Sequence, residues 1–108
     1  MPGFDETPKT GGETDSSLAT KERIEVPKMF RVLLHNDHYT TMEFVVEVLM
    51  KVFRKDEPEA YKIMMDVHKK GVGICGVYTF DIAKTKVNEV HTRAREKDHP
   101  LRCSYEED

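Results

Sequence analysis

The chain lacks tryptophan, has two cysteines and has no apolar run near the roughly 20 residues that a membrane-spanning helix needs. Cys75 and Cys103 are too few for a disulfide scaffold and have no metal-ligand spacing. The opening residues lack the basic-then-apolar layout of a secretory signal. These absences make the cytoplasm the expected location, with no membrane partner. The net charge is −3, from 17 Lys and Arg against 20 Asp and Glu, so there is no basic surplus to hold a nucleic acid. No serine sits in a nucleophile elbow. Gly71, Gly73 and Gly76 do not form a phosphate-cradling loop. Neither an enzyme nor a bound cofactor is expected.

What is present is a chain of 108 residues, 38% apolar and 34% charged, which fits a single domain with a modest core. The charge is uneven. Residues 1–27 hold six acids and three bases among many Gly, Pro, Ser and Thr, while the remainder holds 14 of each sign. The first stretch has too few large apolar residues to offset chain entropy and is expected to be a disordered N-terminal extension. The folded domain is expected over 28–108.

Within that domain, FRVLLH (30–35) alternates in the manner of a strand, with Phe30, Val32 and Leu34 on one face. Thr40 to Glu43 fits a capping box, with Thr40 as cap of a helix running from about Thr41 to Phe53. Asp56 caps a second helix that accepts Pro58 in its first turn and stops at Gly71. Val72 to Tyr78 is β-rich, and Gly73 and Gly76 point to a bulge or a close backbone approach. Thr79 opens a third helix with Ala83, Val87, Val90 and Ala94 inward. LRCSY (101–105) is a short last strand, followed by a frayed acidic end. The order β-α-α-β-α-β predicts an α+β fold: a three-stranded antiparallel sheet packed on three helices.

The seam LHNDHYTTMEF (34–44) sets an amide, a carboxylate and an imidazole between two core elements. Asn36 and Asp37 suit a turn and a helix cap. They are also two hydrogen-bond acceptors, which suit a cationic group with several N–H donors, such as a primary ammonium. His68 ends the apolar stripe of the second helix. It reads either as a core-edge histidine or as a group that meets the seam across a groove. The walls of that groove would be Met42, Val45, Met64 and Val67, which otherwise read as ordinary core filler. A third reading makes His35, His38 and His68 metal ligands around Asp37, although no metal is the expectation.

LLHNDHYTTMEFVVEVL, MMDVHKKGVGICGVYTFDIAKTKV and HPLRCSYEED together resemble the ClpS family of bacterial proteolytic adaptors, from Lys28 to Asp108. The resemblance implies a non-enzymatic adaptor of the N-degron (N-end rule) pathway. Such a protein binds substrates that begin with Leu, Phe, Tyr or Trp and passes them to the N-terminal domain of a Clp unfoldase, ClpA or a relative, that feeds ClpP. It implies that Asn36, Asp37 and His68 hold the substrate's α-amino group. Thr40, Met42, Val45, Met64, Val67 and Leu101 would form the side-chain pocket, with Met42 narrowing it against β-branched residues. Asp81 and Lys86 would dock the unfoldase, and the N-terminal extension would engage it during hand-over. A monomer is expected. Two departures stand out: His38 replaces the family's usual second Asp, and Thr41 replaces its usual Pro. A histidine at the pocket mouth removes one carboxylate and adds positive charge on acidification. The competing reading is a module that docks an unfoldase without reading N-termini.

Overall fold

A computed structural model describes residues 25–108. Most of the expected disordered extension therefore lies outside the described residues. The order is β1 (Met29–His35), α1 (Met42–Lys51), α2 (Glu57–Lys70), β2 (Val72–Thr79), α3 (Phe80–Glu96) and β3 (Arg102–Glu107). The sheet is antiparallel with order β2-β1-β3, which puts β1 in the centre. The fold is α+β, three strands and three helices, as the sequence pattern predicts.

The alternation of β1 explains its place. Val32 and Leu34 are fully buried against the helices, while Arg31, Leu33 and His35 take the other face. Against β2 the pairing runs Val32 with Gly76 and then Leu33 with Ile74, so Cys75 is an extra residue and forms a bulge. Gly73 allows the close approach that its residue type suggested. A Cβ there would sit 2.7 Å from Val67 Cγ2 and 3.1 Å from the Ile63 carbonyl oxygen, so α2 lies directly on the backbone of β2.

The second helix is built as its local signals predict. The Asp56 carboxylate accepts from the Glu59 N–H at 3.1 Å, Pro58 lies in the first turn, and Gly71 stops the helix at φ 90°. The first helix differs by one residue at its start. Thr41, not Thr40, is the N-cap and accepts from the Phe44 N–H at 3.1 Å. Thr40 is diverted because its own N–H and hydroxyl both donate to Asp37. The helix is also shorter than expected, ending at Lys51, with Val52 as C-cap. Thr79 precedes α3 but makes no side-chain cap bond.

The acidic C-terminus is ordered rather than frayed. β3 reaches Glu107, which pairs with Phe30, and the Asp108 N–H donates to the Met29 carbonyl at 2.9 Å. Arg31 adds an ion pair to Glu106 at 2.8 Å. The core lies between sheet and helices, around Leu34, Val48, Leu49 and Val90, each at most 1% exposed. Burying a side chain of this size contributes about 1.5–3 kcal/mol.

Candidate functional site

The seam after β1 folds into a tight turn around one carboxylate. Asp37 Oδ1 accepts from the N–H of Tyr39 at 2.8 Å and of Thr40 at 2.7 Å, and Oδ2 accepts from the Thr40 hydroxyl at 2.8 Å. Burial pushes this carboxyl up, but the Thr40 and Tyr39 hydrogen bonds, with His99 nearby, outweigh it and hold Asp37 below the usual carboxylate range. An ionised carboxylate offers about four acceptor positions. The turn uses three and leaves one on Oδ2.

A backbone bond links the turn to the second helix. The Asn36 N–H donates to the Gly71 carbonyl at 2.9 Å, which fixes the seam beside the last turn of α2, where His68 stands. The Asn36 and His68 side chains are exposed and make no hydrogen bond among the described residues. Between the seam and the two helices is a cavity of about 250 Å³. Asn36, Asp37, His38 and His68 line it on the polar side, with Thr40, Met42, Val45, Met64 and Val67 completing it. Both the polar trio and the apolar groove that the sequence suggests therefore border one space.

Leu101 does not join them. It is 4% exposed and belongs to the buried core. Asp81 and Lys86 lie on α3, away from the cavity. Asp81 is exposed in the first turn. Lys86 is engaged within the fold: its ammonium donates to the Val52 carbonyl at 2.8 Å and lies over the Phe53 and Tyr78 rings, 5.9 and 5.5 Å from their centroids. His35 is also elsewhere, paired with the Ser104 hydroxyl at 2.7 Å. The three histidines His35, His38 and His68 do not line one space, and no group of three or more candidate metal ligands occurs among the described residues.

Two residues that shape the site carried no functional signal in the sequence. Gly71 is legible as a helix stop, but not as the acceptor for Asn36. Gly73 is legible as a close approach, but not as the floor that sets Val67.

An open cavity with acceptors at one end and methionine and valine at the other suits a small group that is charged at one end and apolar at the other. The comparisons with known proteins narrow that class. A family model described as "ATP-dependent Clp protease adaptor protein ClpS" matches residues 25–104. The chain belongs to this ClpS family. It is 52% identical over 95 residues to the ATP-dependent Clp protease adapter protein ClpS of Syntrophus aciditrophicus, covering 88% of this chain and 89% of that one. It is 57% identical over 96 residues to the ClpS of Nitratidesulfovibrio vulgaris strain Miyazaki F, covering 89% and 96%. Among solved structures, Agrobacterium tumefaciens ClpS2 bound to L-phenylalaninamide superposes with a TM-score of 0.74 at 38% identity, covering 77% of this chain and all of that one. Adaptors of this family serve a protease rather than being one. No described helix is long and apolar enough to cross a membrane.

Proposed function

We infer that the cavity holds the first residue of a substrate chain and that the protein presents such N-degron substrates to a Clp unfoldase and its ClpP peptidase. The observation that carries this is the pairing, around one space, of free polar groups with an apolar wall. A free N-terminal ammonium has three N–H donors. The Asn36 side-chain carbonyl, the open position on Asp37 Oδ2 and a His68 ring nitrogen offer three acceptors. The first side chain then lies against Met42, Val45, Met64 and Val67, in a space suited to Leu, Phe, Tyr or Trp. L-Phenylalaninamide, which Agrobacterium ClpS2 binds, has the same two features, a free α-amino group and a large apolar side chain.

Recognition works by penalty as much as by contact. Acetylation of the ammonium removes its charge and two of its three N–H donors, leaving two acceptors unpaired at a cost of about 1–3 kcal/mol each. A small first residue leaves the apolar wall wet.

The finer assignments follow the same reading. The partner is the N-terminal domain of a ClpA-type unfoldase, and the protein works as a monomer in the cytoplasm. Asp81 is the exposed docking contact on α3. Lys86 supports the same face by fixing α3 against the end of α1. A reconstituted degradation assay tests this reading with a fluorescent reporter that begins with Leu. Asn36→Ala is expected to stop adaptor-dependent degradation by removing substrate binding. Asp81→Lys is expected to stop it while peptide binding persists. Adaptor-dependent degradation of an otherwise identical Ser-initiated reporter at the same rate would contradict the reading.

A further inference from the structure

Among the described residues two methionines are exposed, Met42 at 44% and Met50 at 39%. They differ in where they stand. Met42 opens α1 and lines the cavity, so its thioether meets solvent at the cavity's own wall. Met50 lies about 12 Å further along the same helix and does not line the cavity. Met64, the other methionine of the wall, is 3% exposed. The cysteines compete poorly for an oxidant. Burial pushes both thiols up, Cys103 to about 12, with Cys103 adding to the rise at Cys75, so almost no thiolate is present at neutral pH.

We propose that Met42 is an oxidation site that regulates substrate binding: a peroxide converts its thioether to the sulfoxide, and the cavity holds a large apolar first residue weakly until a reductase restores it. The inference rests on the N-terminal reading above and adds its regulation. The step is a two-electron oxidation. The Met42 sulfur attacks one peroxide oxygen, an S–O bond forms as the O–O bond breaks, and hydrogen peroxide leaves its second oxygen as water. In the reverse step a thiol-dependent methionine sulfoxide reductase removes the oxygen as water, and two thiols supply the electrons and pair as a disulfide. The change of chemistry falls where the first side chain packs. A thioether is apolar and polarizable and adapts to Leu or Phe. A sulfoxide carries a strong dipole and an acceptor oxygen. An apolar side chain pressed against it excludes water and offers no donor in return. Met64 is shielded and keeps its thioether, so the regulation rests on one residue of the wall. Met50 has similar exposure and no part in the cavity, which makes it an internal control.

The test treats the full chain with hydrogen peroxide, reads each methionine by peptide mass spectrometry and measures anisotropy with a free-Leu peptide. Met42 and Met50 are expected to gain one oxygen before Met64 does. Affinity is expected to fall about tenfold as Met42 is converted, the effect of an unpaired polar group set against an apolar one. It should return after treatment with methionine sulfoxide reductases A and B together, since each reduces one epimer. The denaturant midpoint is expected to hold. Met42→Leu, compared with itself before treatment, is expected to keep its affinity under peroxide, whereas Met50→Leu should lose affinity as the natural chain does. The site is overturned by Met42 staying a thioether while Met50 is oxidised, or by unchanged affinity once Met42 is converted. An equal loss in Met42→Leu, or a loss that tracks unfolding, overturns it as well. An acetylated-Leu peptide on the untreated protein separates this inference from the reading beneath it. If that peptide binds as well as the free one, the N-terminal reading falls and the regulation with it. If only the free peptide binds and oxidised Met42 leaves that binding intact, the regulation alone falls.

Discussion

Asp37 serves the fold and the cavity with one carboxylate. Three of its acceptor positions hold the turn that follows β1, and the residue also lines the cavity beside Asn36 and His68. The turn reading and the recognition reading of this residue are therefore compatible. Because its folded pKa is lowered, Asp37 contributes stability that is fully present above the ordinary carboxylate value near 4 and is lost as pH falls through its own lower value. Asp37→Asn should lower stability by about 1 kcal/mol at pH 7 and lose less than the natural chain between pH 5 and pH 3, by denaturant titration at each pH. Equal losses in the two proteins would remove Asp37 from the acid response. His38 is the other informative residue, since it lines the cavity at the position where the resemblance implies a second Asp. His38→Asp places one more carboxylate at the mouth of a site proposed for an ammonium. It should tighten free-Leu peptide binding about two- to fivefold at low salt, an effect that fades as salt rises. Unchanged or weaker binding would show that His38 is matched to its place.

At the scale of elements, the cavity depends on how α2 lies on β2. Gly73→Ala would drive a methyl group into Val67, and Val67 is a wall of the cavity. Overpacking of this kind costs about 1–3 kcal/mol. Peptide affinity should fall along with stability, measured by anisotropy and denaturant titration on the same variant. Full affinity in a destabilised Gly73→Ala protein would detach the cavity from this contact. A second joint lies between α3 and β3, where the Cys103 N–H donates to His91 Nε2 at 3.0 Å. Burial, then Arg95 and Arg102, lower the His91 pKa, and burial with Arg102 lowers that of His35 against a smaller opposing pull from Glu106. A protonated ring could no longer accept from Cys103. The stability tied to these rings is present above the ordinary histidine value near 6.5 and is lost as pH falls through the lower folded values. The loss of stability between pH 7.5 and pH 5 should shrink in His91→Gln, and shrink further when His35→Gln is added.

Elements whose signals are local were legible in the sequence. Asp56, Pro58 and Gly71 fix α2 within a turn of their own positions, and the alternation in β1 states which face is buried. What escaped depends on contacts between distant residues. The capping-box spacing selects Thr40, but Asp37 takes the donors of Thr40 and the cap falls to Thr41. The order of the acidic end depends on Arg31 and Met29, more than 70 residues earlier. Leu101 reads as apolar in either case, and only the packing assigns it to the core rather than the cavity wall. The resemblance offers Lys86 as a docking residue, yet its ammonium is held by the carbonyl of Val52, the C-cap of α1.

At the scale of the molecule, the helices packed on a small sheet leave a seam where a strand end, a helix start and a helix end meet. Asn36, Met42 and His68 come from those three places, and the Asn36 bond to Gly71 holds them in one frame. Residues 28–108 balance their charges, so within them the attraction for a cationic N-terminus comes from the local acceptors. That makes the chemistry of the first residue the decisive variable. The most direct measurement is fluorescence anisotropy of the full chain with three peptides that are identical except at their start: free Leu, free Ser and acetylated Leu. Tight binding of the free-Leu peptide alone is the predicted result. Equal binding of all three, or of free and acetylated Leu, would contradict N-terminal recognition by this cavity.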